Sequence, residues 1–301
     1  MMVHFLHSRM PRIGEGGSMK RRPDGILVKN EVPMYYLIPH FLRHRYDAMN
    51  MVTVDIPVEP LREFMNAKRR EGKSVSHMAL IMAAYTRMAY EFPSVNRFIA
   101  ANGRIYQHKD FTVSLVVLRP GGGNDDTMDK LYFDYSDTVF DVQDKIDAFI
   151  EKNATGATET GLDRWMARLC RLNGLMRIGT GLICWLDRHS LLPNALVKVS
   201  PFHASLLISN LASIRTNHIY HHIYEFGTTS VAITIGNLRE VPKRGPGGST
   251  RLERCIPLGI VMDERIASGH YFALAFSRLK ELLANPSLLE TAPEGDPVPR
   301  L

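Results

Sequence analysis

Residues 260–286 read IVMDERIASGHYFALAFSRLKELLANP. The run Ile256 to Val261, with Pro257 near its start, has the apolar, β-branched pattern of a buried strand. A charged turn follows at Asp263, Glu264 and Arg265. From Ser268 to Leu283 apolar positions return with the 3.6-residue period of an amphipathic helix, which Asn285-Pro286 closes. The stretch predicts a core strand, a tight polar turn and a packed helix.

Working outward, residues 51–58 (MVTVDIPV) alternate as a strand with Val52, Val54, Ile56 and Val58 on one face. Pro60 to Glu71 reads as a helix ending near Gly72, and Ser74 opens a second helix that stops at Pro93. In that helix Met78, Ile81, Met82, Tyr85, Met88 and Ala89 follow the helical period, so its methionines are core fillers. Asn102-Gly103 marks a hairpin, and Phe111 to Leu118 a strand. The glycine-rich break Pro120 to Asn124 is a loop, because no Lys-Ser/Thr and no helix follow it as a phosphate cradle requires. A short strand is expected at Phe133 to Tyr135, a helix at Thr138 to Lys152, and a helical region at Leu162 to Asp187 broken by Gly174 and Gly181. Leu206 to Leu211 and Ser230 to Leu238 read as strands. Strands and helices mix without βαβ alternation and without GxGxxG, which gives an α+β domain with a mixed sheet.

The chain has 301 residues, 37 Lys plus Arg and 31 Asp plus Glu, for a net charge of +6. Arg9, Arg12, Lys20, Arg21 and Arg22 against Glu15 supply +4 of that at the N-terminus. The body is nearly neutral, which speaks against a nucleic-acid partner. Residues 1–24 are expected to form a flexible basic tail, with Met19 an alternative start. Residues 25–290 form the domain and 291–301 a Pro-rich tail. Met1 to Leu6 is too short for a secretory signal, and Gly174 to Leu186, interrupted by Arg177, too short to span a membrane. Cys170, Cys184 and Cys255, with no CxxC pair, suggest a reduced cytoplasmic setting and no thiolate zinc site.

Four blocks, in order, resemble the catalytic domain of the dihydrolipoamide acyltransferases of 2-oxoacid dehydrogenase complexes and chloramphenicol acetyltransferase, which shares their fold. They are VTVDIPVEPLREFMNAKRREGKSVS from Val52, the helix and EFPSVN stretch Met78 to Asn96, LLISNLAS at Leu206 to Ser213, and the stretch quoted first. The resemblance implies a two-layer, chloramphenicol-acetyltransferase-like sandwich and a homotrimer, alone or built into a higher-order cage, with a site between two subunits. It also implies an acyl group passing between coenzyme A and a second thiol or an alcohol, with small-molecule donor and acceptor and no metal. In that chemistry a histidine takes the proton of the attacking group and a hydroxyl stabilises the oxyanion.

Ser209 matches the hydroxyl. At the histidine position stands Glu264, and at the following ordering aspartate Ser268; Gly269 is kept. Three readings follow. In the first, Glu264 itself is the base: against a thiol the transfer is uphill by about four pKa units, roughly 5.7 kcal/mol, a gap that burial narrows. Another histidine could serve, among His218, His221, His222 and His270, with His222 the most attractive because its segment enters the strand from Ser230. His203, six residues before Ser209, is set aside as about 20 Å away along an extended chain. Or catalysis is lost and the fold serves as a scaffold or binding protein. Beside these stand the bland readings: an ordinary Glu264–Arg265 ion pair, and a core hydroxyl at Ser209. His218, His221, His222 and Glu225 would share one face of a helix and could hold zinc, but the stretch leads into a strand.

Residues 1–30 are too short for a lipoyl or subunit-binding domain, so a swinging arm is not expected. The helical region holding Trp165 and Trp185 is larger than the resemblance leads one to expect, and is read as an acyl-pocket wall or a trimer surface. Replacing Trp185 with Glu is expected to change oligomer size or ligand affinity, measurable by light scattering and binding titration.

Overall fold

The computed structural model describes residues 22–29, 32–100, 103–118, 126–154 and 173–295. The glycine-rich break, Trp165 and Cys170 lie outside the described residues. In chain order the elements are β1 (Gly25–Leu27), α1 (Pro33–Phe41), β2 (Met49–Pro57), α2 (Val58–Arg70), α3 (His77–Glu91), β3 (Arg97–Ile99), β4 (Ile105–His108), β5 (Phe111–Leu118), β6 (Asp126–Phe133) and α4 (Val139–Ala154). There follow α5 (Asn173–Arg188), α6 (Asn194–Val199), β7 (Leu206–Asn210), β8 (Val231–Ile235), β9 (Arg239–Arg244), β10 (Thr250–Asp263) and α7 (Gly269–Ala284).

The large sheet runs β2-β10-β8-β7-β5-β6, with β9 paired to β10; a second sheet is β1-β4-β3. The large sheet is mixed: β5–β7 and β7–β8 are parallel, and the other pairings are antiparallel. The alternation of β2, β7, β8 and β10 decides what each face meets. Val54, Ile56, Leu206, Ile208, Val231, Ile233, Ile235, Leu258 and Ile260 point into one core with helix residues such as Leu80, Met82, Met88, Val142, Phe272 and Leu279. The sandwich expected from the sequence is present. On the opposite face, Leu207, Ala232 and Val261 carry only a thin apolar cover led by Ile223.

Several boundaries moved. The third residue of α2 is Pro60, not its first, and Ser76 rather than Ser74 caps α3, accepting from Ala79 N at 3.1 Å. The short strand expected at Phe133 is the eight-residue β6. Gly181 does not break α5, where a helix continues through it; no described atom stands within 4 Å of a Cβ built there. Trp185 on that helix is half-exposed and stacks on His189 at 4.3 Å. Arg22, within the expected basic tail, is buried and bonded to Asp24 and Asp187.

His108 ends β4, is buried, and donates from Nε2 to Thr228 O at 3.3 Å, tying the small sheet to the loop before β8. Burial pushes its imidazole down to about 4, more than nearby Asp24 raises it. The unfolded chain takes up that proton near pH 6.5 and the fold refuses it until about pH 4. Stability is therefore expected to fall by roughly 3 kcal/mol as pH drops through that window. His108→Phe should flatten this stretch of the curve, read as urea midpoints at successive pH values against wild type.

Candidate functional site

Ser209 sits near the end of β7, on the thinly covered face of the large sheet. Strand pairing places it in a row: Val116 on β5, Ser209, Thr234 on β8, Gly259 on β10 and Thr53 on β2. Ser209 is 9% exposed, and no described residue hydrogen-bonds its hydroxyl. That arrangement leaves a neutral donor free on the sheet face, as an oxyanion requires.

The histidine-bearing segment crosses the same face and forms no helix, so the one-face zinc arrangement does not arise. Ile219 N donates to Thr234 Oγ1 at 3.1 Å, and Thr234 Oγ1 donates back to Ile219 O. His218 Nε2 meets Thr53 Oγ1 at 3.0 Å and Tyr220 Oη meets it at 2.7 Å. The His218 imidazole thus points to β2 and β10, away from Ser209 on β7. Burial, then the Arg239 charge, pushes it below the usual histidine range. His222 is exposed and makes no side-chain hydrogen bond to a described residue. Among the described residues no group of three His, Cys, Asp or Glu side chains could hold a metal, and no described helix is long and apolar enough to cross a membrane.

The crossing needs glycine beneath it. A Cβ on Gly236 would stand 2.3 Å from His218 N, and one on Gly259 2.4 Å from Ile219 O. Both obstacles are backbone, so they cannot swing aside. Gly259→Ala is expected to cost about 1–3 kcal/mol, checked by thermal unfolding.

Glu264 lies just past the other end of β10. Its N–H donates to Ala48 O at 2.9 Å and its Oε2 accepts from Asn50 Nδ2 at 2.6 Å. It does not pair with Arg265, as a bland surface ion pair would require. Arg265 instead grips buried Asp263 with two bonds, of 2.8 and 2.6 Å, and reaches Leu42 O and Arg43 O. Arg45 adds its guanidinium at 3.8 Å from Asp263 and binds the carbonyls of Tyr224 and Gly227. Two arginines on one buried carboxylate lock the turn from which Glu264 projects. Ser268, at the place of an ordering aspartate, caps α7 by accepting from Tyr271 N at 3.2 Å. Asn50, which no motif or periodicity singles out, holds the carboxylate instead.

Ser209 and Glu264 do not meet within one chain. Thr234 opposite Ser209 pairs with Gly259, five residues before Glu264. At about 3.3 Å per residue and 4.8 Å per strand, the separation is about 19 Å. Exposed Phe41, Tyr46 and Met51 flank the Glu264 end, and exposed Ile214 and Ile219 lie along the segments beside Ser209.

No family model matches the chain, and no curated protein sequence matches it. Solved structures do. A structure of Azotobacter vinelandii dihydrolipoamide acetyltransferase, probed at a serine, a histidine and an asparagine of its catalytic mechanism, is 16% identical with a TM-score of 0.52, covering 87% of this chain and 94% of that one. The cubic core of a pyruvate dehydrogenase multienzyme complex matches at 16% identity, TM-score 0.50, over 87% and 94%. A chloramphenicol acetyltransferase matches at 13% identity, TM-score 0.51, over 86% and 99%. The chain has the chloramphenicol-acetyltransferase-like fold of the 2-oxoacid dehydrogenase acyltransferase cores.

Proposed function

We propose that this protein is a coenzyme A-dependent acyltransferase whose site is assembled from two copies of the chain. The observation that carries it is the separation of Ser209 and Glu264, about 19 Å apart at opposite ends of the sheet, each beside exposed apolar side chains. Patches of that kind mark association surfaces. A ring of three copies, or a cage built from such rings, would bring one chain's Ser209 to a neighbour's Glu264. Such head-to-tail contacts close by symmetry.

The residues present fit the thioester end of an acyl-CoA. Glu264 accepts the proton of an attacking thiol. The thiolate adds to the acyl carbonyl, and Ser209 donates to the oxygen that becomes negative. Collapse breaks the carbon–sulfur bond of the donor, and the departing coenzyme A thiolate takes the proton from Glu264. Asn50 keeps the carboxylate aimed through this exchange. His222 is the alternative base, exposed and without a competing hydrogen bond. A reduced cytoplasm would keep both thiols available.

The test is thiol release from a panel of acyl-CoAs, run on wild type, Ser209→Ala, Glu264→Gln and His222→Gln. Loss with Glu264→Gln and retention with His222→Gln supports the assignment, and the reverse transfers the role to His222. No release with any donor, together with no coenzyme A binding, would sink the proposal.

A further inference from the structure

A second arrangement of nucleophile, base and carboxylate lies away from Ser209, where α5, α6 and the turn before β7 meet. Ser200 follows the last residue of α6 and is half-buried. Its Oγ lies 2.8 Å from His203 Nδ1. His203 is almost fully buried, and its Nε2 lies 3.2 Å from Asp187 Oδ1 near the end of α5. Serine, histidine and aspartate are thus linked in a line, each within hydrogen-bond reach of the next.

The surroundings fix the direction of that line. Asp187 also accepts from Arg22 Nη2 at 2.9 Å and from Gly227 N at 3.1 Å. Burial would raise its carboxyl, but His203 and Arg22 outweigh that and hold it well below the usual carboxylate range. Facing a carboxylate, His203 Nε2 must carry the proton, since two lone pairs at 3.2 Å would repel. In the neutral imidazole Nδ1 is then the acceptor, and the Ser200 hydroxyl donates to it. His203 cannot turn away: a backbone bond from its N to Ser200 O at 3.2 Å closes the turn, and its ring packs edge-on against Phe226 at 5.1 Å. Positive charge lies close, because Lys130 Nζ donates to Val197 O, three residues before Ser200, at 2.9 Å.

We infer that Ser200 is a second nucleophile, with His203 as its base and Asp187 as a positioning residue, and that it acts on small activated esters. Ser200 Oγ forms a bond to the ester carbonyl carbon as its proton passes to His203 Nδ1. The carbon–oxygen bond to the alcohol breaks, and the alcohol leaves with that proton. Water, deprotonated by the same nitrogen, then hydrolyses the acyl-serine and regenerates the hydroxyl. Ser209 and Glu264 take no part.

The test is treatment of the intact protein with a fluorophosphonate probe, in which a serine–phosphorus bond replaces phosphorus–fluorine, followed by mass mapping. A p-nitrophenyl acetate burst gives a second readout. One label per chain at Ser200 is expected, absent in Ser200→Ala and retained in Ser209→Ala. His203→Gln with wild-type melting should label about 100-fold more slowly or worse. If His203→Gln does not fold, the burst must still vanish in Ser200→Ala. No label, a label at another residue, an unchanged rate in folded His203→Gln, or a burst that survives Ser200→Ala would each overturn the inference and leave the trio a purely structural link.

Discussion

Co-expressing Ser209→Ala chains with Glu264→Gln chains is expected to restore activity that neither variant has alone. Separately, Ser209→Ala should lower kcat about 100- to 1,000-fold by removing an oxyanion donor. Glu264→Gln should lower it about 100- to 10,000-fold by removing the proton acceptor while keeping the side chain's size. In the proposed ring each site would take Ser209 from one chain and Glu264 from its neighbour. With equal, random mixing, about one site in four receives an intact residue from both sides. The mixture should therefore reach about a quarter of wild-type thiol release. Were the two residues to act within one chain, every site would lack one of them and mixing would restore nothing. The separation along β10 and across to β7 is the reason the first outcome is expected. Chain stability should hardly change in either variant, because Glu264 is only partly buried and Ser209 has no described partner to lose.

Asp263→Ala, one residue away from Glu264, should behave in the opposite way. Asp263 is fully buried and faces both Arg265 and Arg45. Arg45 lies in the interior, where burial already pushes its guanidinium below the usual range despite the Asp263 charge. Removing the carboxylate leaves two buried cations facing each other without the ion-pair partner they share, and Glu225 is then the remaining carboxylate that acts on both. Breaking a buried ion pair from one side typically costs about 3–5 kcal/mol. The denaturant midpoint should drop accordingly, or the chain should fail to accumulate as folded protein. Arg265→Met in the Asp263→Ala background should recover part of the loss, since it removes one of the two stranded charges. A midpoint unchanged by Asp263→Ala would show that the turn is not held by this cluster. Neighbouring residues of one turn are thus expected to separate: Asp263 supports the backbone, and Glu264 is the proposed base.

Much of the fold was legible because its signals are local. The strand at Phe111–Leu118 matches the sequence reading residue for residue, and the final helix begins within one residue of the Ser268 cap. The resemblance of four blocks led to the sandwich that the solved structures share. Less was legible where order depends on distant partners. The hairpin strand Arg239–Arg244 is short, charged and largely exposed, so no apolar alternation announced it. Arg22 looked like one more charge of a basic tail; only Asp24 and Asp187 make it a buried residue. His203 was measured from Ser209 as if on one extended strand, yet β7 begins only at Leu206 and His203 lies in a turn facing Asp187.

The candidate site divides in the same way. Local order along the chain suffices to put a serine near the end of an apolar strand and a glutamate in the charged turn before an amphipathic helix. Hydrophobic period and turn chemistry act over a few residues and are written into the chain in order. Where the two residues stand relative to each other comes from tertiary contacts. That depends on β7 pairing in parallel with β8, and on the register of β8 with β10. Both are set by burial against α3 and α7 and by backbone bonds between residues far apart in sequence. Those contacts put Ser209 and Glu264 at opposite ends of one sheet face, gave Glu264 its partner Asn50, and brought Ser200, His203 and Asp187 into line.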